Sequence, residues 1–225
     1  MYSERASVLP HVVAWWSVTP AGAREHRILP DGCLDIIWQD GRVFVAGPDT
    51  TAQLGAPVPG SRMFALRFGA GTGPGVLGVP ASALVDQQVP LDALWPAAQV
   101  RRLASAGDPL AAITAAAARR WAPDESMVAL AALARAGRPV DLIADRLGLS
   151  PRQLQRRSNA AFGYGPKTLA RIFRMQRAVS LARGGSSFAS VSAEAGYADQ
   201  AHLSREVRAM AGVPLGALLV GSSSP

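Results

Sequence analysis

The stretch LGLSPRQLQRR, Leu147–Arg157, has a degenerate partner 49 residues further on, within AGYADQAHLSRE, Ala195–Glu206. Ser150 and Asp199 are both helix-capping residue types, and Pro151 suits the first position of the helix that follows. Counted from these caps, Leu154 and Leu203 sit four residues on. Arg156 and Arg205 sit six on, and Gly163 and Gly212 thirteen on, with Pro166 and Pro214 close behind. Before the caps, Val140, Ile143, Ala144 and Leu147 fall at helical spacing, as do Phe188, Val191, Ser192 and Ala195. Gly148-Leu149 makes the first turn; Gly196-Tyr197-Ala198 makes the second, one residue longer. An apolar helix, a glycine turn and a capped polar helix with a buried leucine form a helix-turn-helix. One such hairpin is weak evidence, but two on a matching template specify an all-α module.

The pattern points to duplex DNA for a geometric reason. A major groove about 12 Å wide admits one α-helix. That helix must bury one stripe and turn the other to the base edges. Leu154 faces inward, leaving Arg152, Gln155 and Arg156 outward. Leu203 faces inward, leaving Gln200, Ala201, Ser204 and Arg205 on or near the outer face. Arginine pairs bidentately with guanine and glutamine with adenine, whereas Ala201 offers only a methyl contact, so the second unit reads fewer bases. Pro166 to Arg183 reads as a connecting rod of roughly 27 Å, against about 34 Å between successive major grooves. Lys167, Arg171, Arg174 and Arg177 recur along it. Lys167 and Arg171, with Arg157 and His202, are candidates for phosphate contact, and Ser150 and Asp199 for caps.

The charge agrees. The chain has 225 residues and a net charge of +7. Residues 1–137 hold 11 arginines and 11 acids; residues 138–225 hold 11 arginines and Lys167 against five acids. The second part therefore carries the whole excess, as expected of a neutral module joined to one that meets a polyanion. With only one lysine the chain is biased toward arginine, but such a bias does not explain an imbalance confined to one half.

The first part reads as β. Val12–Trp16, Cys33–Trp38, Arg42–Gly47 and Met63–Phe68 are strand-like, and Asp40-Gly41 between the second and third signals a hairpin. The Gly-rich stretch 69–75 lacks a P-loop lysine and reads as a loop. Beyond Pro80 the pattern turns helical. Asp108 caps one helix that runs to Trp121; Asp124 or Pro123 opens another, Glu125 to Ala136, ended by Gly137. The expected architecture is α+β. A β-rich domain covers 1–105, a helical connector 106–137, and a double helix-turn-helix domain 138–221.

Leu147–Arg157, Ala161–Lys167 and Ala195–Glu206 resemble the DNA-binding domain of the AraC/XylS family of transcription regulators over about Pro139 to Leu218. Ser158 and Val207 depart from that pattern, standing where such helices often carry phenylalanine. Ile28–Trp38 is similar to a segment of uncharacterised β-rich domains that precede AraC-type domains. The resemblance implies a cupin-like barrel or sandwich for the β-rich domain. It also implies a cytoplasmic transcription factor, an activator or a repressor, with double-stranded DNA as partner. It also brings in RNA polymerase, a small-molecule effector and a second copy of the chain as candidate partners.

Other chemistry finds little support. Trp15, Trp38, Phe44 and Phe64 are candidates for an effector pocket, with core packing as the alternative. His11, His26 and Cys33 fit no metal-ligand template, and one cysteine builds neither a disulfide nor a multi-cysteine zinc site. Cys33 reads as a buried thiol rather than a redox or methyl-accepting one. Asp31, Asp35 and Asp40 lack a nucleophile-base pair, so no catalytic residue or cofactor is expected. A DNA-targeted enzyme or repair protein with its activity in the first half is the competing reading. At 49% hydrophobic and 17% charged residues the chain can bury a core. No apolar run is long enough to span a membrane. The short run near Val12–Trp16 is a poor secretory leader, although Ala21-Gly22-Ala23 resembles a cleavage site.

Overall fold

The computed structural model describes residues 2–220. Met1 and Gly221, the outer limits of the two expected domains, lie outside the described residues. The N-terminal half is built on an antiparallel sheet of β1 (Tyr2–Ala6), β2 (Val12–Val18), β4 (Leu34–Gln39), β5 (Arg42–Ala46), β7 (Arg62–Phe68) and β8 (Gln88–Pro90). The order is β1-β2-β7-β4-β5-β8, and β3 (His26–Ile28) pairs with β6 (Gln53–Gly55) as a separate ribbon. Among the described residues β1 and β8 do not pair, so this sheet is open; the N-terminal half is β-rich and the whole is α+β, as expected. The ladder register decides which side chains share a face, because successive residues alternate. Ile36 lies opposite Leu66 and Val45, and Trp38 opposite Phe64 and Val43. This face packs on α1 (Gly73–Leu77), α2 (Ala97–Ala104) and α3 (Pro109–Ala118) to form one core, with Ile36, Leu66, Phe68, Leu77 and Ile113 fully buried. The start of α1 falls within the Gly-rich stretch read as a loop: Pro74 occupies its first turn, where a missing N–H costs nothing.

A second core gathers α4 (Glu125–Arg135), α5 (Val140–Arg146), α6 (Pro151–Phe162), α7 (Pro166–Arg183), α8 (Phe188–Ala195), α9 (Gln200–Ala211) and α10 (Leu215–Val220). The stretch expected to be a connector, 106–137, thus divides. Leu110, Ile113 and Ala117 of α3 belong to the sheet core; Met127, Leu130 and Ala134 of α4 belong to the helical core.

The two cores are docked. Gln176 Nε2 on α7 donates to Pro30 O at 2.5 Å, and Gly32 lies against Leu169 and Phe173 of the same helix. At the far end of α9, Ala52 N donates to Met210 O at 2.7 Å and Arg27 to Ala211 O at 3.3 Å. Pro48 and Val85 close on Gly163 at the end of α6. Near this seam Asp49 is half-buried. Burial first, and the neighbouring Asp86 second, push its carboxyl up to about 6, against a lowering hydrogen bond from Gln53. A raised acid favours the fold while protonated, so its contribution is complete below the unfolded value of about 4 and is lost as pH rises toward 6. Asp49→Asn is expected to flatten the decline in melting temperature between pH 4 and 6; an unchanged profile would show that Asp49 does not titrate there.

Candidate nucleic-acid interface

In the first unit α5 buries Ile143 and Ala144, and Leu149 N closes the turn on Ala144 O at 3.0 Å. Ser150 caps α6 with a reciprocal pair of bonds. Its Oγ accepts from Gln153 N at 3.3 Å, and its N–H donates to Gln153 Oε1 at 2.9 Å. Such a capping box satisfies two N-terminal donors at once. Leu154 is 1% exposed, while Arg152, Gln155 and Arg156 are exposed. With Ser150, Gln153 and Asn159 they line a shallow, open depression of about 610 Å³. The second unit repeats the plan. Asp199 accepts from His202 N at 2.6 Å, Leu203 is 2% exposed, and Gln200, Ala201, Ser204 and Arg205 are exposed. Gly163 and Gly212 end the two helices at φ +85° and +73°. The two departures from the family pattern are absorbed differently: Ser158 is fully buried and its hydroxyl donates to Tyr164 O at 2.8 Å, whereas Val207 is packed as an apolar side chain.

The basic side chains divide. Lys167 is exposed. Arg157 is turned to the protein instead, bonding both carboxylate oxygens of Asp124, the cap of α4, at 2.9 and 2.8 Å. Arg171 donates to Glu206 at 2.6 Å, and Arg174 makes contacts of 2.7 to 3.1 Å with the same carboxylate. His202 packs edge-on against Tyr197, with Nε2 3.9 Å from Glu206. Sequence reasoning missed Glu206, and a signal existed. It lies on the buried stripe with Leu203, Val207 and Met210, where a carboxylate is tolerated only with a cationic partner.

The four aromatic candidates of the N-terminal half do not converge. Trp38 and Phe64 lie edge-to-face at 5.6 Å in the helix-covered core, with Trp38 Nε1 donating to Ala104 O at 2.9 Å. Trp15 and Phe44 belong to the opposite face, in the cross-strand row Trp15–Ala65–Ile37–Phe44. Beside that row the buried Asp35 accepts from Trp15 Nε1 at 3.2 Å and from Arg67 Nε at 3.1 Å. Burial pushes the Cys33 thiol well up, with Asp31 adding to the effect. A thiol held in that state is a poor nucleophile at neutral pH. Among the described residues no group of three or more His, Cys, Asp or Glu is placed to hold a metal ion.

A family model described as a helix-turn-helix domain matches residues 143–219, the segment that holds both capped units. Residues 143–219 are an AraC-type helix-turn-helix domain. A second model, described as a domain of unknown function (DUF6597), matches residues 5–90, most of the sheet. No curated protein matches the chain. Among solved structures, a probable AraC family transcriptional regulator from Rhodopseudomonas palustris CGA009 is 21% identical; the match covers 43% of this chain and 96% of that one, with a TM-score of 0.39. ToxT from Vibrio cholerae O395, bound to (E)-4-(8-methylnaphthalen-1-yl)but-3-enoic acid, is 10% identical over 97% of this chain and 98% of its own, with a TM-score of 0.50. The latter likeness is one of fold: a β-rich half followed by helices that end in the AraC-type domain. The AraC-type domain supports a DNA-binding transcriptional regulator. Among the described residues no helix is long and apolar enough to cross a membrane.

Proposed function

We propose that the chain is a cytoplasmic, sequence-specific transcription regulator that reads duplex DNA with α6 and α9. One observation carries this reading: two capped helices at matching places in a basic repeat each bury a stripe headed by one leucine and leave arginine and glutamine exposed. Arg152, Gln155 and Arg156 read bases in one half-site; Gln200, Ala201, Ser204 and Arg205 read those in the other. Lys167 anchors on phosphate. Ser150 and Asp199 act as caps, and His202 serves the turn rather than the backbone of DNA. The N-terminal half senses a small molecule, and the row Trp15–Ala65–Ile37–Phe44 is its candidate surface. RNA polymerase and a second copy of the chain are further partners in this reading, and no catalytic step is assigned.

Selection of binding sites from random duplexes by the whole protein tests it. A bipartite motif with half-sites about one helical turn apart is expected, with affinity falling steeply as salt rises. Retention of DNA without any enriched motif would falsify the reading. Arg157→Gln is a sharper check on the assignment of charges. Because Arg157 is engaged with Asp124, the slope of log affinity against log salt is expected to stay as in wild type. A drop of about one would mean a phosphate contact.

A further inference from the structure

We infer that Glu206, gripped by Arg171 and Arg174, is a positioning residue that fixes the second recognition helix on the connecting rod and so sets the half-site spacing the protein accepts; this rests on the DNA-reading function proposed above. Glu206 sits on α9, one residue after Arg205, with its side chain 6% exposed. It has no partner on its own helix other than His202 at 3.9 Å. Its partners come from α7, one turn apart: Arg171 Nε at 2.6 Å, and Arg174 through both Nε and Nη2. Arginine's planar fork fixes direction as well as distance, so the carboxylate has little freedom to rotate. The Arg174 guanidinium also lies 4.8 Å from the centre of the Tyr197 ring, and Tyr197 belongs to the turn that enters α9. The same arginine thus holds the turn and the helix.

The geometry matters because the other polar ties on α9, from Ala52 to Met210 O and from Arg27 to Ala211 O, hold only its C-terminal end; nearer Arg205 the helix is otherwise held by apolar contacts, which resist separation better than sliding. A rod carrying two readers tolerates only the groove spacing for which both are correctly aimed. One base pair changes the azimuth by roughly 35°. Without the Glu206 grip α9 can roll on α7, and Arg205 swings with it. The two arginines are bound within the protein, so their role is to aim a base-reading neighbour, not to add phosphate affinity.

The experiment compares affinities for three duplexes: the selected bipartite site, and the same site with one base pair added or removed between the halves. Wild type is expected to lose about fivefold or more on either altered duplex, the scale of a mismatched base pair. Glu206→Gln is expected to bind the selected site more weakly and to bind all three within about twofold, while keeping its discrimination in the Arg156 half-site. A merely structural role moves both halves together and leaves the spacing preference intact; that result overturns the inference. Should Glu206→Gln fail to fold, Arg171→Gln decides, since Arg174 still holds the carboxylate. Relaxed spacing with an unchanged salt slope supports positioning. A slope smaller by about one with spacing preference retained makes Arg171 a phosphate contact and overturns it. If wild type itself selects no bipartite site, the proposed function fails first and this inference with it.

Discussion

Gly163→Ala is expected to lower stability by about 2–5 kcal/mol, and Gly212→Ala, at the matching place in the second unit, by only about 1–2 kcal/mol. Both glycines end a recognition helix in the left-handed region, at φ +85° and +73°, where any Cβ is strained. That cost of about 1–2 kcal/mol is common to both. The surroundings differ. At Gly212 the nearest atom to an added Cβ is the end of the flexible Arg27 side chain, at 3.3 Å. At Gly163 the same Cβ falls 2.4 Å from Val85 and 3.0 Å from Pro48, both in the N-terminal half. Relieving that overlap moves the halves apart or forces side chains off their rotamers, for about 1–3 kcal/mol more. Paired thermal melts read the difference directly, at roughly 2–4 °C per kcal/mol for a chain of this size. Equal losses at the two glycines would mean that the seam against α6 contributes nothing to stability.

The contrast between these glycines also marks what a single sequence can show. Caps, glycine stops and buried leucines are local chemistry. They repeat at a constant offset, and so α6, α9 and the rod between them were legible, with the rod ending at Pro166 and Arg183 as expected. The seam was not. Pro48, Val85 and Gln176 meet the other half through pairings 78 to 146 residues apart along the chain, and no periodicity encodes that. The aromatic candidates fall between these cases. Asp40 and Gly41 form a two-residue turn with φ +47° and +86°, so Ile37 must face Phe44, and Trp38 must face Val43. The hairpin signal alone therefore placed Trp38 and Phe44 on opposite faces, and a single pocket drawn from both was excluded by register. The open sheet was harder to foresee. Short edge strands such as β8, three residues long, carry too little pattern to announce themselves. Arg157 and Arg171 show the limit for charge. Sequence identifies a cation, but whether it meets phosphate or a carboxylate of its own chain depends on where Asp124 and Glu206 come to rest.

Arg156→Ala combined with Arg205→Ala is expected to weaken binding to the selected site by about 2–6 kcal/mol, the sum of about 1–3 kcal/mol for each lost base contact. The two sit on separate helices with no shared partner, so additivity within about 0.5 kcal/mol is the expectation. The salt slope should stay near wild type, because base contacts release few counterions, whereas Lys167→Ala should lower the slope by about one and weaken all sequences alike. The singles are predicted to be unequal. Arg156 lies between Arg152 and Asn159 on a surface with several polar neighbours able to hold part of the half-site. Arg205 has beside it Ala201, which offers a methyl group and no hydrogen bond, so its half-site depends more heavily on one side chain. Arg205→Ala should therefore erase more of its half-motif in a repeated selection and cost more affinity than Arg156→Ala, whose half-site keeps the contacts of its polar neighbours. A double variant that binds within about threefold of wild type would remove both arginines from the base-reading surface. The repeat would then be a helical scaffold whose DNA contacts lie elsewhere.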